Sequence, residues 1–169
     1  MDLHVFTTGG TIDKVYFDAK SEYEVGEPQI AQILREEANV TIDYEVTTLL
    51  RKDSLDMTEA DRELVAEHVK RTKSRHIVIT HGTDTMVQTG RVLKGVAESK
   101  TIVLVGSLNP ARFKDTDAVF NIGFAVAAAQ TLPPGVYVAM NGQIFDPEDV
   151  RKNREANQFE RVESESSAQ

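Results

Sequence analysis

The chain has 169 residues, of which 40% are hydrophobic and 27% charged, and this is the size and composition of one soluble globular domain. Its 19 lysines and arginines stand against 27 aspartates and glutamates. The formal net charge of −8 excludes a general affinity for nucleic acid, because phosphate binding needs a basic surface. The lack of cysteine excludes disulfides, thiolate nucleophiles and cysteine-based metal sites.

The first half of the chain alternates predicted strands and helices. An apolar strand occupies residues 3–6, and Pro28 then opens a helix, because the N–H that proline lacks is unbonded in a first helical turn anyway. Residues 40–50 alternate apolar and polar side chains and predict a second strand. Thr58 and Asp61 have the spacing of a capping box, which predicts the start of a second helix.

The second half of the chain continues this alternation. Residues 77–79 and 101–105 are rich in valine and isoleucine and predict strands, with a helix over residues 86–97 between them. Residues 120–129 predict a fourth helix that is apolar on nearly every face, so we expect it to be largely buried. A fifth strand is predicted over residues 136–140.

This alternation predicts an α/β fold with a flavodoxin-like, doubly wound, mainly parallel sheet and helices on both faces. The expected strand order is 2-1-3-4-5, in which strands 1 and 3 are neighbours at the topological switch point. We place one domain at residues 1–145 and a charged carboxy-terminal extension at residues 146–169. Within the extension, residues 149–159 are able to form a helix, whereas the serine-rich end, residues 164–169, is expected to be disordered.

The sequence shows no pattern that indicates export or membrane insertion. Residues 1–4 lack the basic and apolar stretches of a secretory signal. The longest strongly apolar stretch, residues 122–129, is far shorter than the ~20 residues of a membrane helix. We therefore expect a cytoplasmic protein without a membrane partner.

Two polar loops follow predicted strands 1 and 3. The first, residues 7–14, contains two adjacent glycines that allow close approach of the backbone to a ligand, although a threonine-rich turn is the alternative explanation. The second, residues 80–86, is rich in polar side chains, although Thr83 or Asp84 could simply cap the next helix. In the predicted order the loops face each other at the carboxyl edge of the sheet, so together they indicate a ligand site.

Histidine and tyrosine side chains are further candidates. His81 lies in the second loop, but a lone histidine is more often a structural hydrogen-bonding group than a ligand, and the other histidines lack metal-ligand spacing. Tyr16 and Tyr23 lie in the long connection at residues 13–26. Long connections without regular structure often act as lids, so either tyrosine is a candidate for the site.

Five segments resemble signature segments of the bacterial-type L-asparaginase family, in the family's order and across nearly the whole chain. Two of them lie within the polar loops, at residues 8–12 (TGGTI) and 81–86 (HGTDTM). The others are residues 52–57 (KDSLDM), 103–107 (VLVGS) and 150–153 (VRKN). The amino-terminal domain of that family has the strand order predicted above.

The resemblance implies catalytic roles for the matched residues. Thr11 is implied as the nucleophile, assisted by Tyr16 from the lid. Thr83, Asp84 and Lys152 are implied to form a second catalytic group. The chemistry is consistent, because a threonine hydroxyl is a poor nucleophile until a base takes its proton, and a tyrosine or lysine of lowered pKa is able to do so. No metal or cofactor is implied.

The resemblance also implies an amino-acid substrate. Ser54 is implied to bind its α-carboxylate and Asp84 its α-amino group, while hydroxyls and N–H groups of the two loops stabilise the oxyanion. The implied substrate-binding residues are Gly10, Ser54, Leu55, Gly82, Thr83 and Asp84.

Two departures from the family pattern bear on binding. Leu55 stands where the family usually has glutamine, and the second, carboxy-terminal domain of full-length members is expected to be absent because the sequence stops soon after Lys152. Both departures remove polar contacts to the amino-acid part of the substrate. We therefore expect weaker binding or altered selectivity with the chemistry intact.

The leading hypothesis is an amidohydrolase that converts L-asparagine to L-aspartate and ammonia through a threonyl acyl-enzyme. The alternatives are hydrolysis of L-glutamine or another small amide, and a catalytically silent amino-acid-binding module of the same fold. The presence of both the nucleophile and the base argues against the silent module. Because a half-length chain exposes its switch-point cleft, we predict a homodimer or higher homo-oligomer.

Overall fold

The structure, a computed structural model, describes residues 2–162. The strands are β1 (Asp2–Gly9), β2 (Lys14–Phe17), β3 (Glu22–Val25), β4 (Asp43–Lys52), β5 (His76–Thr80), β6 (Thr101–Val105), β7 (Gly135–Met140), β8 (Gln143–Phe145), β9 (Val150–Asn153) and β10 (Gln158–Arg161). The helices are α1 (Ile30–Gln32, continued by a π-helical turn over Ile33–Glu37), α2 (Glu59–Arg71), α3 (Met86–Lys94) and α4 (Ala118–Thr131). None of these helices of residues 2–162 is long and apolar enough to cross a lipid bilayer.

Six strands form the central sheet in the order β4-β1-β5-β6-β7-β8. The first five are parallel and correspond to the five predicted strands in the predicted order 2-1-3-4-5, so the doubly wound α/β fold is confirmed. The antiparallel edge strand β8 is an addition to the prediction. Asn141 and Gly142 join it to β7 with φ angles of 53° and 66°, as a tight hairpin turn requires.

The sheet buries a hydrophobic core on each of its faces, because its strands are apolar at successive positions. On one face α2 and α3 pack against side chains that include Phe6 and Ile77. On the other face α1 and α4 pack against side chains that include Val5 and Val78. Successive residues of a strand therefore pack into the cores on opposite faces of the sheet, as in a sheet covered by helices on both sides.

Most residues of the predicted helix 120–129 are buried within α4, as expected. Ile122 and Ala125 face the core, but Phe120 is 63% exposed and stacks on Phe124 with 6.1 Å between the ring centroids. The helix contains no charged residue at all, so its apolar residues also cover a solvent-facing side. The helix is thus largely buried, as its sequence predicts, and Phe120 is an exposed apolar residue on its solvent-facing side.

The segment after β8 forms a hairpin and does not form the helix considered for residues 149–159. Strands β9 and β10 pair in antiparallel fashion, and Val150 and Phe159 are almost fully buried in the core beside β7. Asn157 has a φ of 51°, which asparagine tolerates and which closes the turn. The expected disorder of residues 164–169 lies outside the described residues.

The connection at residues 13–26 is also a hairpin, formed by β2 and β3, so it has regular structure where the sequence suggested none. In its register Lys14 lies opposite Val25 and Tyr16 lies opposite Tyr23. The predicted capping box at the start of α2 is confirmed.

Candidate active site

Three loops meet at the carboxyl edge of the sheet, where β4, β1 and β5 end side by side. A side chain at Gly10, whose φ is 92°, would overlap the backbone of Gly82. A Cβ atom at Gly82 would lie 2.5 Å from both Cβ and Oγ of Ser54. Only residues without a side chain allow so close an approach. The packing therefore brings the segments that begin at Thr11 and Thr83 beside Ser54.

Lys152 reaches this edge of the sheet from β9. Its Nζ donates hydrogen bonds to Oγ1 of Thr83 at 2.8 Å and to Oδ1 of Asp84 at 2.9 Å. The lysine side chain is only 15% exposed. The structure thus joins three residues into one hydrogen-bonded group, although 68 positions separate Lys152 from Asp84 in the sequence.

Thr83 and Asp84 do not cap helix α3. The N-cap residue is Thr85, whose side chain makes no capping hydrogen bond. The hydroxyl of Thr85 instead donates to the carbonyl oxygen of Ser54 at 2.8 Å, which ties the second polar loop to the loop after β4. The capping interpretation is therefore wrong, and both candidate side chains face Lys152.

Thr11 begins a short 3-10 turn, Thr11–Asp13, and is half-buried. The N–H of Gly10 donates to the carbonyl oxygen of Lys52 at 2.9 Å. This N–H therefore already has a partner within the protein.

Ser54 begins a second 3-10 turn, Ser54–Asp56, directly after β4. The preceding Asp53 caps this turn, since its Oδ1 accepts from the N–H of Leu55 at 3.1 Å. Within residues 2–162 the buried Oγ of Ser54 has no hydrogen-bond partner. A buried hydroxyl without a partner is unfavourable, and a ligand that bonded to it would relieve that cost. The Leu55 side chain is 62% exposed at the surface of the site.

Charged side chains act on Asp53, which precedes the Ser54 turn. Burial raises the pKa of Asp53, but hydrogen bonds from Lys14 and from the N–H of Leu55 oppose this effect, as do the positive charges of Lys14 and Lys152, and the net pKa is lowered. The Asp53 carboxylate is therefore stabilised in its ionised form beside Lys14.

Tyr16 and Tyr23 project from the same face of the β2–β3 hairpin, because they are directly opposite in its register. Their rings meet edge to face with centroids 5.4 Å apart, and the ring of Tyr23 also lies 5.8 Å from that of Phe113. Both tyrosines are about half exposed. Within residues 2–162 neither tyrosine hydroxyl is hydrogen-bonded to Thr11 or to the group formed by Lys152, Thr83 and Asp84.

His81 is fully buried and supports the second loop from behind. Its Nδ1–H donates to the carbonyl oxygen of Gly82 at 2.8 Å, because a carbonyl only accepts, and its Nε2 therefore accepts from the hydroxyl of Thr89 at 2.8 Å. Burial lowers the pKa of His81 to about 4, so the ring is neutral at physiological pH. The expected structural role of this histidine is confirmed.

Asp13 is a buried carboxyl group two residues after Thr11. Its Oδ1 accepts from the N–H of Gln29 at 2.9 Å, and its backbone oxygen accepts from the N–H of Gly26 at 2.8 Å, so it closes the base of the β2–β3 hairpin. Burial raises the pKa of Asp13 to about 7, although the Gln29 hydrogen bond and the charge of Arg51 oppose the rise. The carboxyl group consequently retains its proton up to nearly neutral pH.

Sequence reasoning missed three charged groups around the site: Lys14, Asp53 and Arg154. The Nε of Arg154 lies 3.5 Å from Oδ1 of Asp84, and Lys14 forms an ion pair with Asp53. Asp53 carries a usable signal, because aspartate before a tight turn commonly caps it. The sequence around Lys14 and Arg154 contains no comparable signal for a role at the site. Within residues 2–162 no group of three or more histidines and carboxylates is placed to hold a metal ion.

The chain is similar to proteins of known family. A family model described as "Asparaginase, N-terminal" matches residues 2–168. The L-asparaginase 2 of Escherichia coli K12 is 32% identical over 164 residues, which cover 89% of this chain and 46% of that protein. The glutaminase-asparaginase of Acinetobacter glutaminasificans is 40% identical over 102 residues, which cover 54% of this chain and 31% of that protein.

A solved structure extends the similarity to the fold. The thermostable L-asparaginase from Thermococcus kodakarensis superposes with a TM-score of 0.85 at 28% sequence identity, over 96% of this chain and 51% of that one. The chain therefore spans about half the length of that protein, and less than half the length of the two curated relatives.

Proposed function

The chain belongs to the asparaginase N-terminal family, and from this premise we propose that it hydrolyses L-asparagine to L-aspartate and ammonia with Thr11 as nucleophile. The observation that carries the proposal is the hydrogen-bonded group of Lys152, Thr83 and Asp84. This group lies next to Gly82, which packs against the loop that holds Thr11. A nucleophile beside a lysine, a hydroxyl and a carboxylate is a usual arrangement for acyl transfer.

In the proposed reaction the Thr11 hydroxyl oxygen attacks the side-chain amide carbon of asparagine. A C–O bond forms and the amide C–N bond breaks, so that ammonia leaves with the proton that the hydroxyl gives up. Water then hydrolyses the threonyl ester, which releases L-aspartate and restores the hydroxyl. Tyr16 is our candidate for proton acceptor in the first step, and Tyr23, on the same hairpin face, is the alternative.

We assign the second proton-transfer route to Lys152 and Thr83. In this structure the Lys152 amine donates to Thr83, so it must release a proton before it accepts one from that hydroxyl or from water. The Asp84 carboxylate stabilises the ammonium form whenever the proton returns. This group is thus suited to take a proton from the attacking species and to deliver it to the leaving group.

Two features support binding of an amino-acid substrate. The buried, unpartnered Oγ of Ser54 is a suitable donor for an α-carboxylate. Lys152 and Arg154 both contact Oδ1 of Asp84, which leaves its Oδ2 for the substrate α-amino group. The backbones of Gly10 and Gly82, with Thr83, would surround the reacting amide. Leu55 offers no hydrogen bond to the substrate, so we propose weaker binding than a glutamine would give.

L-Glutamine is the second candidate substrate, because a relative of this chain is named a glutaminase-asparaginase. A silent amino-acid-binding module is the candidate from a different class.

We also retain a homodimer or higher homo-oligomer in the cytoplasm as a proposal, with residues 1–145 as its α/β domain and the segment 146–169 as the source of Lys152. If light scattering finds a monomer under conditions in which the chain releases ammonia, the proposed oligomer is wrong.

The test is ammonia release from asparagine and from glutamine by the purified chain and its Thr11→Val variant. Valine keeps the β-branched shape and deletes the hydroxyl, so we expect hydrolysis to fall by about three orders of magnitude or more while the fold is retained. Thr131→Val, at an exposed position of α4, is the matched control and should leave the rate unchanged. If Thr11→Val keeps more than about 5% of the rate, Thr11 is not the nucleophile. If the wild type binds L-aspartate but releases no ammonia, the chain is the silent module.

A further inference from the structure

An ion pair joins the β2–β3 hairpin to the Ser54 turn. Nζ of Lys14, the first residue of β2, lies 2.9 Å from Oδ2 of Asp53, and both side chains are about 30% exposed. The other carboxylate oxygen of Asp53 caps the turn through the N–H of Leu55. One carboxylate therefore holds both the internal geometry of the turn and the hairpin beside it.

The same hairpin face carries the ion pair and the tyrosines. Lys14 and Tyr16 are two residues apart on β2 and so project from one face, as do their cross-strand partners Val25 and Tyr23. Val25 on this face lies against Gly9 at the edge of the sheet. A cavity of about 410 Å³ lies between hairpin and turn, and its lining includes Lys14, Tyr23 and Asp53. The tyrosine-bearing face is thus turned toward the Ser54 turn.

Two other contacts of the hairpin constrain its base and its interior rather than its tilt. Asp13 closes its base through Gly26 and Gln29, which determines where the hairpin leaves the sheet. The Lys20–Glu24 ion pair joins two residues of the hairpin to each other. The tilt of the hairpin over the site therefore depends on contacts that reach outside it. These include the Tyr23–Phe113 ring contact and the Lys14–Asp53 ion pair, and the ion pair is the one that joins the hairpin to the Ser54 turn.

We propose that Lys14 and Asp53 are positioning residues whose ion pair holds the tyrosine-bearing face of the β2–β3 hairpin over the Ser54 turn. The pair couples two events of catalysis: delivery of the tyrosine to Thr11, and presentation of Ser54 to the substrate carboxylate. This inference rests on the proposed function, since it assigns both residues to the same reaction.

The test is a double-mutant cycle on asparagine hydrolysis with Lys14→Met, Asp53→Asn and the double variant. Asparagine at position 53 keeps an acceptor for the N–H of Leu55 and removes only the charge that Lys14 needs. Partly exposed ion pairs are weak, so we expect each single variant to lower kcat about two- to fivefold. The double variant should fall no further, because the two changes remove one interaction. Additive losses would show that the residues act separately and would overturn the proposal.

Matched variants and a second measurement separate positioning from general destabilisation. Lys20→Met removes a lysine from the same hairpin without touching the turn, and should leave kcat unchanged; an equal loss of kcat would overturn the proposal. Lys14→Arg should restore at least half of the kcat lost in Lys14→Met. Amide hydrogen exchange over residues 14–25 should accelerate in Lys14→Met and stay at the wild-type rate in Lys14→Arg. If exchange is unchanged in Lys14→Met, the proposed contact is overturned, whether or not the wild type releases ammonia. If the wild type is inactive but exchange accelerates in Lys14→Met, only the proposed function is refuted.

Discussion

The buried carboxyl group of Asp13 makes the stability of this protein depend on pH in a way that Asp13→Asn should abolish. Burial raises its pKa from the ordinary 3.8 to about 7. The folded chain therefore holds the proton up to nearly neutral pH, whereas the unfolded chain releases it near pH 4. Stability from this group is fully present below pH 4, declines between pH 4 and pH 7, and is lost above pH 7.

The size of the effect follows from the two pKa values. At roughly 1.4 kcal/mol for each tenfold change in proton affinity, the difference between 3.8 and about 7 corresponds to about 4 kcal/mol. Asparagine keeps the oxygen that accepts from the N–H of Gln29 and cannot ionise. Relative to wild type, the variant should therefore gain about 4 kcal/mol of unfolding free energy between pH 4 and pH 8.

Urea denaturation of both proteins across this range of pH measures the difference directly. Asp18→Asn, which removes an exposed carboxylate from the tip of the same hairpin, is the control and should give a constant difference from wild type. A constant difference for Asp13→Asn as well would show that the Asp13 carboxyl does not exchange its proton on unfolding, and the argument from burial would be refuted.

Two further changes test the site. Lys152→Met keeps the length and apolar stem of the side chain and removes the amine. We expect kcat to fall by about two to four orders of magnitude, while the free energy of unfolding stays within about 1 kcal/mol of wild type. A normal kcat would show that Lys152 takes no part in the mechanism. Gly82→Ala places a Cβ 2.5 Å from Ser54 and should cost about 1–3 kcal/mol in urea denaturation. The control Gly123→Ala, in open space on α4, should instead stabilise by about 0.5–1 kcal/mol, and equal effects of the two alanines would refute the packing argument.

The fold was predictable because its signals are local and agree with one another. Apolar runs of strand length alternate with helical periods, and the Thr58 capping box forms as expected. Strand β8 was equally accessible, since Asn141 and Gly142 form the dipeptide most typical of a two-residue hairpin. The β9–β10 hairpin was harder to predict, because Val150 and Phe159 are its two buried apolar residues and lie nine positions apart without strand-like alternation around them.

Local patterns predicted the site only to the level of its loops, whereas the resemblance to the L-asparaginase family implied the group of Thr83, Asp84 and Lys152 that the structure joins by hydrogen bonds. The adjacent glycines and the polar residues after β1 and β5 indicate a ligand site, but the capping role considered for Thr83 and Asp84 was a reasonable local alternative. It failed because Lys152, distant in sequence, bonds to both side chains. The partner of Lys14 likewise depends on how the hairpin folds over the sheet. Such contacts depend on tertiary structure, and no local pattern predicts them.

The placement of Lys152 on a separate hairpin has a consequence for inactivation. Strands β9 and β10 form their own two-stranded sheet, which the backbone ladder of the central sheet does not include. The hairpin is held by the buried side chains of Val150 and Phe159 and by the bond from the N–H of Phe159 to Asn141. Opening of this hairpin would break no backbone pairing of the six-stranded sheet, but it would expose part of the shared core and carry Lys152 away from Thr83 and Asp84. Inactivation by this route would leave the strands of the central sheet paired, so the placement of Lys152 makes turnover sensitive to a local opening that the sheet itself survives.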